Sequence, residues 1–115
     1  MMENNKAILE KANAAIRTGD NEGFLSHCTE DTKWVFVGDR TLEGKEAVRE
    51  WMLEAYTEPP QFIVENLIGD GDFVTAIGEI TLKDENGEAA RHLYCDIWRF
   101  REDKMAELKA FVIKA

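Results

Sequence analysis

Asp96 is the residue whose surroundings ask most for a chemical explanation. It belongs to an alternating run, His92, Tyr94, Asp96, Trp98 and Phe100, which shares one face if the segment is extended. A carboxylate between Tyr94 and Trp98 on an apolar face is costly when charged and unpaired. The group is therefore expected to be protonated or hydrogen-bonded. It could act as an acid toward a bound molecule. It could equally be satisfied by a neighbouring side chain or backbone group and serve only to order the core.

The other candidates are fewer. His92 lies on the same face, but four residues of extended chain separate it from Asp96 by about 13 Å, too far for a direct hydrogen bond. Near the start of its strand, it is expected at the mouth or rim of a pocket. His27, beside Cys28, reads either as a base facing a ligand or as a partly exposed histidine at a helix end. Two histidines without a matching carboxylate cluster do not make a metal site, so neither a metal nor a cofactor is expected. Cys28 and Cys95 lack ligand spacing and read as small buried apolar residues. Trp34 and Phe36 share a strand face and, if it points inward, flank a cavity together with Tyr94 and Trp98. Such walls suit a flat apolar ligand with one polar handle for Asp96. Trp51 and Phe62 read as packing. No glycine-rich phosphate loop or basic cluster points to a nucleotide, and the Gly69–Asp72 turn is acidic, the wrong sign for phosphate.

Composition narrows the classes further. The 115 residues suit one domain, 1–115, with a core that needs no cross-links. With 14 Lys and Arg against 23 Asp and Glu, the net charge of −9 opposes nucleic-acid phosphates and anionic membranes. No stretch approaches the roughly 18 apolar residues of a membrane span. The first residues lack the apolar run of a signal peptide, and a cytoplasmic location is expected.

The elements that must position these groups can be read from periodicity. Ile8, Leu9, Ala12, Ala15 and Ile16 mark one face of a helix over 4–18, which Gly19 is placed to end. Asp20 is placed to cap a second, shorter helix carrying Phe24, Leu25 and Cys28. Residues 32–37 read as a strand, and Gly38-Asp39-Arg40 as a turn. A third helix over 45–56 carries Val48, Trp51, Met52 and Ala55, and Pro59-Pro60 prevents its continuation. Strands follow over 61–68, 73–83, 89–101 and 105–114, joined by turns at 69–72, 84–87 and 102–104. Helices first and an antiparallel meander afterwards predict an α+β fold with the helices on one face of a curved sheet.

Alternation identifies the inward residues as Val74, Ala76, Gly78, Ile80 and Leu82 on one strand, and Leu108, Ala110 and Val112 on the last. The small residues Ala76, Gly78 and Ala110 should leave space that larger ones would fill, and Leu108 and Ala110 are expected to touch a ligand. On the opposite face, Phe111, Ile113 and Ile97 are too apolar for a solvated surface, which predicts a homodimer through that sheet face.

Three stretches carry a family resemblance. Thr18-Gly19-Asp20 is followed by Phe24, Glu30-Asp31 and Trp34. Leu42-Glu43-Gly44-Lys45-Glu46-Ala47-Val48-Arg49-Glu50-Trp51 leads into the third helix. Asp96-Ile97-Trp98-Arg99-Phe100 is followed by a tight turn, Met105 and Leu108. In this order they resemble the SnoaL-like and ketosteroid-isomerase-like branch of the nuclear transport factor 2-like superfamily. The resemblance implies a cone-shaped, curved, mixed sheet with about three N-terminal helices enclosing a pocket, a cystatin-like fold. It also implies positions for an isomerase's three catalytic groups. The tyrosine position falls at Ala12, the general base at Phe36 between Val35 and Val37, and the hydrogen-bonding acid at Asp96. Only the third retains a competent side chain, as a donor to a ligand carbonyl. The readings that remain are a binding protein for a small apolar molecule, with a carbonyl compound as one such ligand; an isomerase-, cyclase- or dehydratase-like enzyme using Asp96 as acid or oxyanion donor; and a non-catalytic dimeric interaction module with a collapsed pocket.

Overall fold

A computed structural model describes residues 4–83 and 85–115. Asp84, which opens the turn expected at 84–87, and Met1–Glu3 lie outside the described residues.

Helix α1 (Asn5–Arg17) starts where the Asn4 side chain accepts from the Lys6 amide at 2.8 Å. It buries Ile8, Leu9, Ala12 and Ile16. It ends where Gly19 takes φ 84° and donates to the Ile16 carbonyl, a left-handed conformation that glycine adopts without a Cβ clash. Asp20 caps α2 (Asn21–Leu25) by accepting from the Gly23 amide. Cys28 is not on this helix, as its spacing from Phe24 had led us to expect. It opens strand β1 (Cys28–Phe36), which begins four residues earlier than its apolar segment. Long-range partners draw the polar stretch into the sheet: Met105 donates to the His27 carbonyl at 2.7 Å, and Thr32 Oγ1 to the Met105 carbonyl at 3.2 Å. The short polar strand β2 (Arg40–Glu43), not foreseen, pairs with β1 at the sheet edge.

Helix α3 (Lys45–Ala55) follows, then β3 (Gln61–Asp70), β4 (Phe73–Lys83), β5 (Ala89–Arg101) and β6 (Lys104–Lys114). The six strands form one sheet in the order β2-β1-β6-β5-β4-β3. The β3–β6 meander is antiparallel, and β1 joins β6 in parallel, which makes the sheet mixed. Apolar faces of all three helices and the inner sheet face share one core, with Leu9, Leu25, Val48, Met52, Val74 and Met105 almost wholly buried. This is the α+β cone that the sequence implied.

Two expectations are corrected. Gly78 leaves no free space: a Cβ built there would stand 1.9 Å from the Ile63 carbonyl oxygen. A register shift between Val64 and Asn66 brings that carbonyl over β4, and Tyr94 donates its hydroxyl to it at 3.3 Å. Cys95 is only half-buried, because it alternates outward with Leu93 and Ile97. Cys28 is buried, and that burial pushes its thiol up to about 12, which keeps it a thiol. On the outer sheet face, Ile113 and Phe111 are exposed, as are Leu93 and Ile63.

Candidate functional site

Strand register builds the site around Asp96. Ala76, Asp96 and Ala110 are directly opposed across β4, β5 and β6, and Ala110 is in turn opposed to Phe36 on β1. The next inward row is Val74, Trp98, Leu108 and Trp34. The carboxyl thus projects between two methyl groups, and larger neighbours on either side would have covered it. Above this part of the sheet, α1 and α3 leave a cavity of about 420 Å³.

All eight residues expected at a pocket line this cavity: Trp34, Phe36, His92, Tyr94, Asp96, Trp98, Leu108 and Ala110. Several others that line it were missed. Trp51 and Phe62, read as packing, are part of the wall, as are Tyr56 at the end of α3 and Asn13 on α1. Asn13 had a visible signal, since it interrupts the apolar stripe Leu9, Asn13, Ile16 at helical spacing. Ala12, the position implied for a tyrosine, is buried in the core instead. The signal for Trp51 and Tyr56 was weaker, because an apolar helix face looks the same whether it meets a core or a cavity.

The rings interlock. Trp34 meets Trp98 at 5.5 Å and 86° and Trp51 at 6.0 Å and 67°. Phe36 lies 5.0 Å from Trp51, which lies 5.1 Å from Tyr56 at 73°. The three steep pairs have the edge-to-face geometry that aromatic quadrupoles favour, while Phe36 and Trp51 meet at a tilt of 37°. The Trp34 indole N–H is buried within this cluster with no hydrogen-bond acceptor among the described residues.

Asp96 is half-buried, because one side of its carboxyl looks into the cavity while protein encloses the others. Among the described residues it has no hydrogen-bond or ion-pair partner, so the reading in which a neighbour satisfies it is set aside. Burial raises its pKa to about 7. The Tyr56 hydroxyl is pushed above its ordinary range, first by burial and then by the charge of Asp96. The same two causes, in the same order, push Tyr94 up to about 12.

His92 Nδ1 lies 3.0 Å from the Ala90 carbonyl oxygen. A carbonyl can only accept, so Nδ1 carries the proton and a neutral ring keeps Nε2 as an acceptor. His27 is absent from the cavity wall. Its pKa is lowered by burial and then by Lys104 and Lys11, and a ligand-facing role for it is withdrawn. The described residues contain no group of three side chains able to hold a metal. They also contain no helix long and apolar enough to cross a membrane.

The fold and cavity together define an α+β cone with an aromatic-walled interior. The chain belongs to the SnoaL-like domain family, whose model matches residues 9–108. Its fold is similar to an NTF2-like protein of unknown function from Burkholderia pseudomallei, with 19% identity, 95% of this chain and 90% of that chain covered, and a TM-score of 0.84. It is similar to an uncharacterised cystatin-fold protein from Novosphingobium aromaticivorans, with 17% identity, 95% and 98% covered, and a TM-score of 0.83. It is also similar to a candidate ketosteroid isomerase from Kribbella flavida, with 18% identity, 96% and 78% covered, and a TM-score of 0.82. No protein of curated function matches the sequence.

Proposed function

We propose that the protein binds a small, flat, largely apolar molecule inside the cone, with Asp96 engaging its single polar handle. The observation that carries this reading is an unpartnered carboxyl, set between Ala76 and Ala110, facing an aromatic-walled cavity. A largely apolar wall with a few convergent polar groups is the usual form of a small-molecule site. Residues 1–115 then act as one SnoaL-like domain, in the cytoplasm, as a homodimer through the outer sheet face rather than as a bare interaction module. Calorimetric titration of a panel of aromatic ligands against wild type and Asp96→Asn tests the reading. Binding that the substitution weakens is expected. Failure of every ligand to bind, or binding indifferent to Asp96, would refute it.

A catalytic reading has one specific observation in its favour, the His92 tautomer. Nε2 is free to take a proton at one end of the cavity while Asp96 donates a hydrogen bond or a proton at the other. This arrangement suits isomerase-, cyclase- or dehydratase-like chemistry on a small carbonyl compound, with Asp96 as general acid or oxyanion donor. Turnover should then fall by orders of magnitude in Asp96→Ala with the fold retained. Unchanged turnover removes Asp96 from the mechanism.

A further inference from the structure

We infer that the handle held beside Asp96 is a cation, an ammonium group carried on a flat apolar body. This rests on the reading of the cavity as a binding site and selects among the ligands which that reading allows.

The charged side chains in the described lining are carboxyls, Asp96 in the wall and the exposed Asp39 on the β1–β2 turn, with no Lys or Arg. Two guanidinium groups stand just outside it, Arg40 paired with Asp39 at 3.7 Å and Arg17 over the Phe62 ring at 4.2 Å, and neither is paired with Asp96. A ligand anion would find no opposite charge in the described lining beside Asp96, and the net charge of −9 opposes its approach. A ligand cation finds two complementary features. Among the described residues Asp96 has no hydrogen-bond or ion-pair partner, and an unpaired half-buried carboxylate is stabilised by an opposite charge that enters the cavity. The nearby walls are mostly rings set steeply to one another, Trp34 to Phe36 at 76°, Trp34 to Trp51 at 67° and Trp51 to Tyr56 at 73°, with Phe36 tilted at 37° to Trp51. Walls so arranged combine ring edges with ring faces, and the negative faces attract ammonium groups. Tyr56 connects the two features, because its ring packs on Trp51 and its hydroxyl feels the charge of Asp96.

The competing occupant is a neutral carbonyl compound, which would accept a hydrogen bond from protonated Asp96. The two respond to pH in opposite directions. A quaternary ammonium prefers the carboxylate, so its affinity rises as pH passes upward through about 7; a neutral carbonyl prefers the acid and loses affinity over the same interval. The other titratable groups at the cavity are Tyr56 from α3, His92 and Tyr94 on the same strand, and Asp39 from the turn. Both tyrosines are pushed upward and stay neutral. His92 is common to wild type and Asp96→Asn, so the difference between the two proteins isolates Asp96.

The experiment titrates the full chain with benzyltrimethylammonium, its uncharged carbon isostere neopentylbenzene, acetophenone and benzoate. In wild type the ammonium should bind at least about tenfold more tightly than its isostere above neutral pH. Its affinity should rise about tenfold between about pH 6 and about pH 8. Asp96→Asn should remove most of the rise, and Trp51→Ala should reduce the preference for the ammonium, with circular dichroism confirming the fold of each. Equal affinity for ammonium and isostere in wild type overturns the inference without any variant. So does tightest binding of acetophenone with affinity falling through neutrality, or a pH response undiminished in Asp96→Asn. Binding of none of the four refutes the cavity reading itself, and this inference with it.

Discussion

Replacing Asp96 by Asn should stabilise the protein, and by more at high pH than at low. The carboxyl has an ordinary pKa of 3.8 and is raised to about 7 by burial. A raised folded pKa means that the native state favours the protonated form. Stability from this group is therefore complete below the unfolded pKa and is lost as pH rises toward the folded one. The shift is about three units, and each unit corresponds to about 1.4 kcal/mol, so the full loss approaches about 4 kcal/mol above neutrality. Water entering the cavity beside the carboxyl would lower that figure. An Asn of nearly the same shape does not ionise and escapes the loss. Urea unfolding of both proteins at about pH 5 and about pH 8 should show the advantage of Asn growing by about 2.5 kcal/mol between the two. General effects of acid on the other carboxylates cancel in the difference between the proteins. An advantage equal at both pH values, or a variant less stable at the higher one, would mean that Asp96 is charged and compensated in the native state, and the reasoning would fail.

Other substitutions probe the same architecture. Gly78→Ala places a methyl against the Ile63 carbonyl and should cost about 3 kcal/mol in urea unfolding, a loss that would not appear if β3 ran past without its bulge. Ala110→Leu should fill the space beside Asp96 and lower ligand affinity at least about tenfold in the same titrations; unchanged affinity would place the ligand elsewhere. Ile113→Lys with Phe111→Lys should convert the expected homodimer into monomer by light scattering, and a monomeric wild type at high concentration would contradict that use of the outer face.

Much of the site was legible because strands declare their faces. The period-two pattern places Tyr94, Asp96 and Trp98 on one side, and no rearrangement of neighbouring strands can separate them. Ala76 and Ala110 were equally visible as small inward residues. Gly78 looked identical in the sequence, yet its space is taken by a neighbouring backbone. A bulge in β3 is a property of how two strands meet, and nothing at Gly78 itself announces it. Cys28 was assigned to a helix because Phe24 lies four residues before it, whereas parallel pairing with β6 determined its state.

The sequence by itself determined the α+β class, every element but β2 and the position of one acid on an aromatic inward face, because local periodicity and turn chemistry act within a few residues; the cone came from the family resemblance. Tertiary structure alone decided that Asp96 has no hydrogen-bond or ion-pair partner among the described residues, that Trp51, Tyr56 and Asn13 share its cavity, and that His27 does not. These outcomes depend on where α1 and α3 settle over the sheet. Burial and electrostatics sum over neighbours distant in the chain, so the ionisation of Asp96 is fixed only when those neighbours are in place.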